Sequence, residues 1–388
     1  MTRTLTGDQD FFESRPLRHL DLHRLHRDQL LEQARRAACE PSPIGDLEGI
    51  IAFLESGEDH DSEGRDLGFD KRSFSRNELN VAMKHEGGDR LRYLQYRYRF
   101  DRYPRLGKLT EFPTVLAIEP TSICNLRCVM CFQADKSFSE DKSVMGRMDF
   151  ELFRQVIDEG ERHGLCSIIL ASRGEPLLHG RIADMVAYAK AHGVLDVKLN
   201  TNGTQLTEAS SRALLAAGLD TLVFSIDSHE AEAFERIRPP AKFDRIVKNI
   251  EAFHRIRAEE FPDARTRTRI TMVRIEEGQD PEAAARFWQD KVDEFGNRWV
   301  IDRLNIYDKD DVERERPCSL LWERLYVWFD GTINPCDEDY RSSLSPGRIS
   351  TLGSVHAAWH SEAMQRYRAL HTVGEKNAIT PCDKCHGF

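Results

Sequence analysis

Cysteine is the residue type whose number and spacing in this sequence most directly suggest chemistry. The 388-residue chain contains nine cysteines, and an odd number excludes complete pairing in disulfides. The first residues, MTRTLTGDQDFF, contain no apolar signal core, so we expect a cytoplasmic protein whose thiols stay reduced. Clustered thiols then predict metal or redox chemistry. Seven of the nine fall into two groups: Cys124, Cys128 and Cys131; and Cys318, Cys336, Cys382 and Cys385.

The first group follows the pattern Cys-x3-Cys-x2-Cys in the segment ICNLRCVMC. Three closely spaced thiolates can hold three irons of a cubane cluster, whereas such clusters ordinarily have four cysteine ligands. The fourth iron would be open to a substrate or cofactor, like the open position of a catalytic zinc. A zinc site and three incidental cysteines are the alternatives. Zinc would need a fourth cysteine or histidine nearby, and the following residues, FQADKSFSED, offer none.

The second group follows the pattern Cys318-x12-Gly331-x4-Cys336, with Cys382-x2-Cys385 after a gap. The Asp330–Gly331 pair predicts a hairpin turn that brings Cys336 back toward Cys318. Four cysteines suit either a structural zinc ion or a fully ligated iron–sulfur cluster. The spacing alone does not decide between the two.

The overall charge bears on the partners of the protein. The chain has 55 Lys and Arg against 65 Asp and Glu, a formal net charge of −10, which argues against mainly electrostatic nucleic-acid binding. No apolar run in the sequence approaches the roughly 20 residues of a membrane-spanning helix. We therefore expect neither nucleic acid nor a membrane among the partners.

From residue 114 onward, β-branched segments alternate with helical segments. Six strand–helix units of this kind predict an α/β fold with a parallel sheet curled into a partial (β/α)6 TIM-like barrel. In such sheets the functional residues lie at the C-terminal strand ends. The predicted strands are 114–121, 166–172, 196–202, 221–228, 267–275 and 299–306. The predicted helices are 150–163, 181–192, 208–217, 244–259 and 281–295.

Two further parts flank this barrel, which gives three predicted domains. They are a mainly helical N-terminal extension at 1–112, the barrel at 113–310, and a small metal-stapled module at 311–388. The extension contains helical patterns at 17–38, 46–55 and 75–100, and the module contains a predicted hairpin at 325–336 and a helix at 355–371.

The segment CNLRCVMC after a strand, followed by a βα series, resembles the radical S-adenosylmethionine (SAM) superfamily over about residues 113–310. Three further segments resemble the family at successive strand ends: GEP at 174–176, NTNG at 200–203 and SIDS at 225–228. The resemblance implies that Gly174 and Glu175 contact the SAM amino group, and that Asn200, Ser225 and Asp227 meet other parts of SAM.

The sequence also departs from the family pattern at two positions. Met130 stands where an aromatic residue is usual before the third cysteine, and Arg173 replaces the first glycine of the commoner GGEP form. Neither departure removes a metal ligand. The detailed contacts with SAM stay open at both positions.

The resemblance implies specific cofactors. A [4Fe–4S] cluster on the first cysteine group would bind SAM and, once reduced by a flavodoxin- or ferredoxin-type donor, cleave it to a 5′-deoxyadenosyl radical. The second group resembles the Twitch form of the SPASM extension, which implies one fully ligated auxiliary [4Fe–4S] cluster. The radical would then abstract a hydrogen atom from an unactivated carbon.

The family offers several outcomes for this chemistry. We expect dehydrogenation or epimerisation of a small polar, carbohydrate- or aminocyclitol-like molecule. The alternatives are a peptide maturase that forms crosslinks or modified side chains, and a non-catalytic metal-binding scaffold. Arg303, which shares one face of the last predicted strand with Asn305, is the candidate for aiding proton loss, and Asp302 on the opposite face is an equal contender. Cys39 and Cys166 are candidate thiol donors for an epimerase.

Overall fold

The computed structural model describes residues 13–16, 23–39, 42, 44–56, 73–300, 304, 306–312 and 316–385. The strands are β1 Glu13–Pro16, β2 Val115–Ile118, β3 Ser167–Leu170, β4 Asp196–Thr201, β5 Thr221–Ser225, β6 Arg267–Arg274, β7 Glu294–Trp299, β8 Arg324–Val327, β9 Thr332–Asn334 and β10 Gly347–Arg348. The helices are α1 His23–Ala38, α2 Leu47–Glu55, α3 Arg76–Lys84, α4 Gly88–Arg102, α5 Lys136–Ser139, α6 Phe150–Arg162, α7 Ile182–Ala191, α8 Glu208–Ala216, α9 Ala231–Ile237, α10 Phe243–Glu260, α11 Pro281–Trp288, α12 Leu320–Glu323, α13 Ile349–Leu352, α14 Val355–Trp359 and α15 Glu362–Thr372.

The described strands join in one sheet, in the order β1-β7-β6-β5-β4-β3-β2-β8-β9-β10. Strands β2 to β7 pair in parallel in chain order and form the predicted partial barrel. Side chains alternate along each strand, so Ile270 and Met272 enter the main hydrophobic core with the outer helices. The residues between them face the inside of the barrel. The predicted α/β fold is confirmed.

The last strand–helix unit was predicted wrongly. The strand expected at 299–306 is β7, which begins at Glu294, and the helix expected at 281–295 ends at Trp288. The segment EFGNRW lacks β-branched residues, but Phe295 is buried in the core and Glu294 pairs with Arg267 on the neighbouring strand β6. Tertiary packing thus overrides the local preference. Arg303 and Asn305 lie outside the described residues, so the predicted role of Arg303 has no structural account.

The C-terminal module extends the barrel sheet. Strand β8 pairs in parallel with β2, and β8 and β9 form the predicted antiparallel hairpin, with Gly331 at φ +81° in the turn. The helix predicted at 355–371 is divided into α14 and α15, because the Ser361 hydroxyl accepts from the Met364 N–H and starts a new helix.

The N-terminal helices close the end of the barrel opposite the cysteines. Helices α2 to α4 share a hydrophobic core with Val115, Cys166 and Leu195, which lie at or next to the N-terminal ends of β2, β3 and β4. Strand β1 pairs antiparallel with β7 at the far edge of the sheet. Within the described part of the chain, no helix is both long and apolar enough to cross a bilayer.

The continuous sheet predicts that barrel and module unfold together. Leu325 on β8 is fully buried and aligns with Leu116 on β2. Replacing Leu325 by Ala should lower the free energy of unfolding by about 2–5 kcal/mol. Hydrogen exchange should then accelerate at the amides of β2 and β3 as well as in the module. Unchanged protection of β2 and β3 would contradict a shared sheet.

Candidate iron–sulfur and SAM site

The first cysteine group lies on the loop after β2, at the C-terminal end of the strands. The loop is held by its backbone: Arg127 N donates to the Pro239 oxygen at 2.8 Å and Val129 N to the Ile237 oxygen at 3.0 Å. A further bond joins Cys131 N to the Cys128 oxygen at 2.9 Å. The cysteine loop is therefore held against the end of α9 and the residues that follow it.

The GEP segment packs directly against this loop. Glu175 N donates to the Ile123 oxygen at 2.9 Å. A Cβ atom added to Gly174 would lie 2.2 Å from the Thr121 oxygen, far inside contact distance. The structure thus gives Gly174 a role that sequence reasoning missed, because it allows the close approach of the loop backbone. The expected contact of Gly174 with SAM stays a prediction.

Glu175 connects the cysteine loop with the turn after β4. Its buried carboxylate accepts from Thr201 Oγ1 at 2.6 Å, Asn202 N at 2.7 Å and Leu177 N at 3.0 Å. Asn202 Nδ2 in turn donates to Asn125 Oδ1 inside the loop at 3.0 Å. Burial raises the pKa of Glu175. These contacts hold the Glu175 carboxylate in place. The expected bond from Glu175 to the SAM ammonium stays a prediction.

Asn200 and Ser225 lie half-buried on the inner face of the barrel, but Asp227 is 0% exposed. The Asp227 carboxylate pairs with Arg238 Nε at 2.6 Å and accepts from Val273 N at 2.9 Å. Its predicted contact with SAM stays untested, and its observed partner is a buried arginine.

Arg238 is a site residue that the sequence analysis missed. Its Nη1 lies 3.7 Å from Cys128 Sγ, which puts a buried positive charge beside the thiol group. The sequence offered one signal, an arginine at the end of α9 shortly after SIDS, but only the fold shows that it turns inward.

Burial of the thiols tests whether they suit a metal cluster. Burial, with a smaller contribution from neighbouring thiols, raises the pKa of Cys124 to about 12 and that of Cys128 to about 11, while Arg238 acts in the opposite direction on Cys128. The thiolate form is therefore costly here unless a cation neutralises it, as a metal ion or cluster does. The three cysteines fit such a group.

The second cysteine group also forms one site. Burial raises the pKa of Cys318 and Cys336 well above the usual thiol value and that of Cys382 to about 12, and Cys385 raises all three. The four cysteines therefore fit a metal ion or cluster by the same argument.

A small, mainly aromatic cluster, called here the aromatic cluster, contacts both cysteine groups. It consists of Phe132, Phe138, Ile306 and Tyr340, and both Cys131 and Cys385 pack against it. The rings of Phe132 and Tyr340 stack with centroids 4.5 Å apart. One cysteine of each group thus contacts the same small, buried cluster of side chains.

Arg173, the departure from GGEP, connects the same parts. Its guanidinium pairs with the fully buried Glu119, with contacts of 2.7 Å and 2.8 Å. It also donates to the Tyr340 oxygen at 3.0 Å and lies over the Trp328 ring at 4.4 Å. The arginine therefore links the end of β3 with β2 and with the C-terminal module.

Comparisons with known proteins agree with this architecture. The model of the radical SAM superfamily matches residues 118–287, and the model of the SPASM iron–sulfur cluster-binding domain matches residues 318–386. These domains imply a SAM-binding [4Fe–4S] cluster and an auxiliary cluster. The matched ranges include all seven clustered cysteines.

Two curated relatives share the central part of the chain. A tungsten-containing aldehyde ferredoxin oxidoreductase cofactor-modifying protein of Pyrococcus furiosus is 41% identical over 113 residues, or 29% of this chain and 30% of the relative. An AdoMet-dependent heme synthase of Methanosarcina barkeri is 34% identical over 155 residues, or 40% of this chain and 42% of the relative. The chain thus spans less than half the length of either relative.

Two solved structures share the fold. BtrN in complex with AdoMet and 2-DOIA is 17% identical, with a TM-score of 0.50 over 71% of this chain and 94% of that chain. SuiB of Streptococcus suis bound to precursor peptide SuiA is 13% identical, with a TM-score of 0.51 over 77% of each chain. At these identities the likeness supports the fold alone.

The close approach at Gly174 predicts a selective loss of iron. Gly174→Ala should displace the cysteine loop, so that anaerobically loaded protein binds about four irons per chain in place of about eight. Gly180→Ala is the matched control, since a Cβ there meets nothing within 4 Å. Full iron content in Gly174→Ala would contradict the proposed packing role.

The buried Asp227–Arg238 pair predicts a coupled effect on stability. Arg238→Met leaves an unpaired buried carboxylate and should lower the free energy of unfolding by about 3–5 kcal/mol. The double variant Asp227→Asn with Arg238→Met should recover part of that loss, measured by denaturant unfolding of the parent, the two single variants Asp227→Asn and Arg238→Met, and the double variant. Additive losses would show that the two residues do not interact.

Proposed function

This chain carries a radical SAM domain followed by a SPASM iron–sulfur domain, and from that premise we propose that it dehydrogenates a small polar, carbohydrate-like substrate. One observation carries the choice of dehydrogenation. Cys131 of the first group and Cys385 of the second pack against the same aromatic cluster. A short, densely packed connection between the two sites suits transfer of an electron during turnover.

The positions of the other two cysteines argue against thiol-quenched epimerisation. The structure describes all nine cysteines, and seven belong to the two groups. Cys166 precedes β3, at the closed end of the barrel, and packs with the N-terminal helices. Cys39 follows α1 at the exposed surface of those helices. Neither thiol reaches the C-terminal strand ends, so neither suits return of a hydrogen atom to the substrate.

The inner face of the barrel favours a polar substrate. Ser225 aligns with Thr271 across β5 and β6, and Asn200 lies on the neighbouring strand. Lys198, two residues before Asn200, pairs with Asp196 at 2.9 Å. Hydroxyl, amide and charged groups at these positions provide hydrogen-bond partners for a hydroxyl-rich molecule.

The chain's own residues have separate parts in the proposed mechanism. With SAM and both clusters bound, the chemistry supplied would be reductive cleavage of SAM and removal of a hydrogen atom from a C–H bond of the substrate. The substrate radical would then lose a proton and pass one electron to the auxiliary site. Cys124, Cys128 and Cys131 would hold the first cluster. Arg238 offsets the negative charge of the Cys128 thiolate. Gly174 and Glu175 keep the loop in place.

Anaerobic incubation with SAM and dithionite tests this proposal. The protein should release 5′-deoxyadenosine, which a non-catalytic scaffold would not. With a panel of aminocyclitols and sugars in D2O, we expect a product that lacks two hydrogens and gains no solvent deuterium at carbon. A product of unchanged composition with one carbon-bound deuterium would indicate epimerisation and contradict the proposal. Turnover of a precursor peptide alone would favour the maturase alternative.

If the second site accepts the electron, two variants should cleave SAM without forming a matching amount of oxidised product. Cys336→Ala should lose the auxiliary cluster, and Tyr340→Leu should loosen the packing between the sites. Both should still form 5′-deoxyadenosine but yield at least tenfold less oxidised product per SAM cleaved. Tyr188→Leu on the outer helix α7 is the matched control and should stay coupled. Full product yield in Cys336→Ala would show that the auxiliary cluster is dispensable.

A further inference from the structure

We propose that Glu111, His356 and His360 form a binding site for a divalent transition-metal ion, most suitably zinc, on the outer wall of the barrel. Within the described residues, one donor atom from each of the three lies within 4.8 Å of the others. Two imidazoles and a carboxylate are ligands that zinc prefers, whereas calcium and magnesium take oxygen ligands. A fourth position would be open to water. This site is independent of the proposed dehydrogenation.

The three residues already contact one another through hydrogen bonds and ring packing. His356 Nε2 and Glu111 Oε1 are 2.7 Å apart, and His360 Nε2 donates to the Glu111 backbone oxygen at 2.9 Å. The two histidines are one helical turn apart, with ring centroids separated by 4.5 Å. A bound ion would replace the proton between His356 and Glu111 and draw the second imidazole to the same point.

Buried contacts hold these donors in position. Trp359 is fully buried, and its indole N–H donates to the Thr110 oxygen at 2.9 Å, which fixes the residue before Glu111 against α14. The Glu159 carboxylate accepts from the N–H groups of Val355 and His356 at 2.9 Å and 2.8 Å. Helix and ligand segment therefore keep their relative positions, which lowers the cost of ordering the ligands around an ion.

A stacked column of rings supports one of the ligands. His163 lies parallel to the His356 ring at 5.0 Å and, on its other face, parallel to Phe112 at 4.9 Å. Because Phe112 directly follows Glu111, the column joins two of the proposed ligands through side-chain packing. The orientation of the His356 ring is thus set by its neighbours.

The site is separate from the first cysteine group. Glu111 precedes β2 and the first cysteine group follows it, so the four residues of the strand place roughly 13 Å between them at about 3.3 Å per residue. A bound ion would join α14 of the C-terminal module to the chain that enters β2. Arg173, which pairs with Glu119, joins the same two parts at the other end of the strand through its bond to the Tyr340 oxygen. The ion would therefore act as a second clamp between barrel and module.

Zinc binding to tag-free, cluster-loaded protein under anaerobic conditions tests this site. Equilibrium dialysis with metal analysis should show one saturable zinc per chain. X-ray absorption at the zinc edge should show only nitrogen and oxygen ligands, near 2.0–2.1 Å, whereas zinc in a cysteine site would show sulfur near 2.3 Å. No saturable binding, or a shell that contains sulfur, would overturn the proposal.

Three variants complete the test. The double variant His356→Ala with His360→Ala should lose the bound zinc. Glu111→Gln, which keeps both imidazoles, should bind at least tenfold more weakly and guards against loss through misfolding. His192→Ala, which removes a histidine at the end of α7, is the matched control and should bind like the parent protein. Equal binding by all variants would overturn the assignment of the ligands.

Discussion

Burial of the clustered thiols is the constraint on which the rest of the structure depends. Cys124, Cys128, Cys318, Cys336 and Cys382 all have pKa values raised by burial, and neighbouring thiols raise them further. A buried thiolate without a compensating cation is unfavourable. The surrounding chain is therefore interpreted as a scaffold for two metal clusters. A close-packed loop carries the first cysteine group, and a hairpin positions Cys336 of the second.

The fold brings the segments around the first cysteine group into contact with one another. The parallel strands bring the cysteine loop, the GEP segment and the turn after β4 to one end of the barrel, where Glu175 bonds to both of its neighbours. The N-terminal helices close the opposite end. Arg173 and Glu119 then tie this edge to the module that carries the second cysteine group. One continuous sheet therefore joins the parts that carry the two cysteine sites.

Much of this arrangement could be predicted from the sequence, for identifiable reasons. Strand–helix alternation and the Asp330–Gly331 turn are local signals, so five barrel strands and the hairpin were predicted correctly. Strand β7 was misplaced because its signal is tertiary: Phe295 packs in the core and Glu294 pairs with Arg267. Arg238 pairs with Asp227, 11 positions away, and Arg173 pairs with Glu119, 54 positions away. No local pattern reports such partners.

The central claim is that the first cysteine group holds a four-iron cluster with one iron that the protein leaves for SAM. Mössbauer spectroscopy of anaerobic protein loaded with ⁵⁷Fe, with and without SAM, tests it most directly. We expect SAM to give one iron in about eight a distinct isomer shift and to leave the signals of the auxiliary cluster unchanged. Identical spectra with and without SAM would contradict the account.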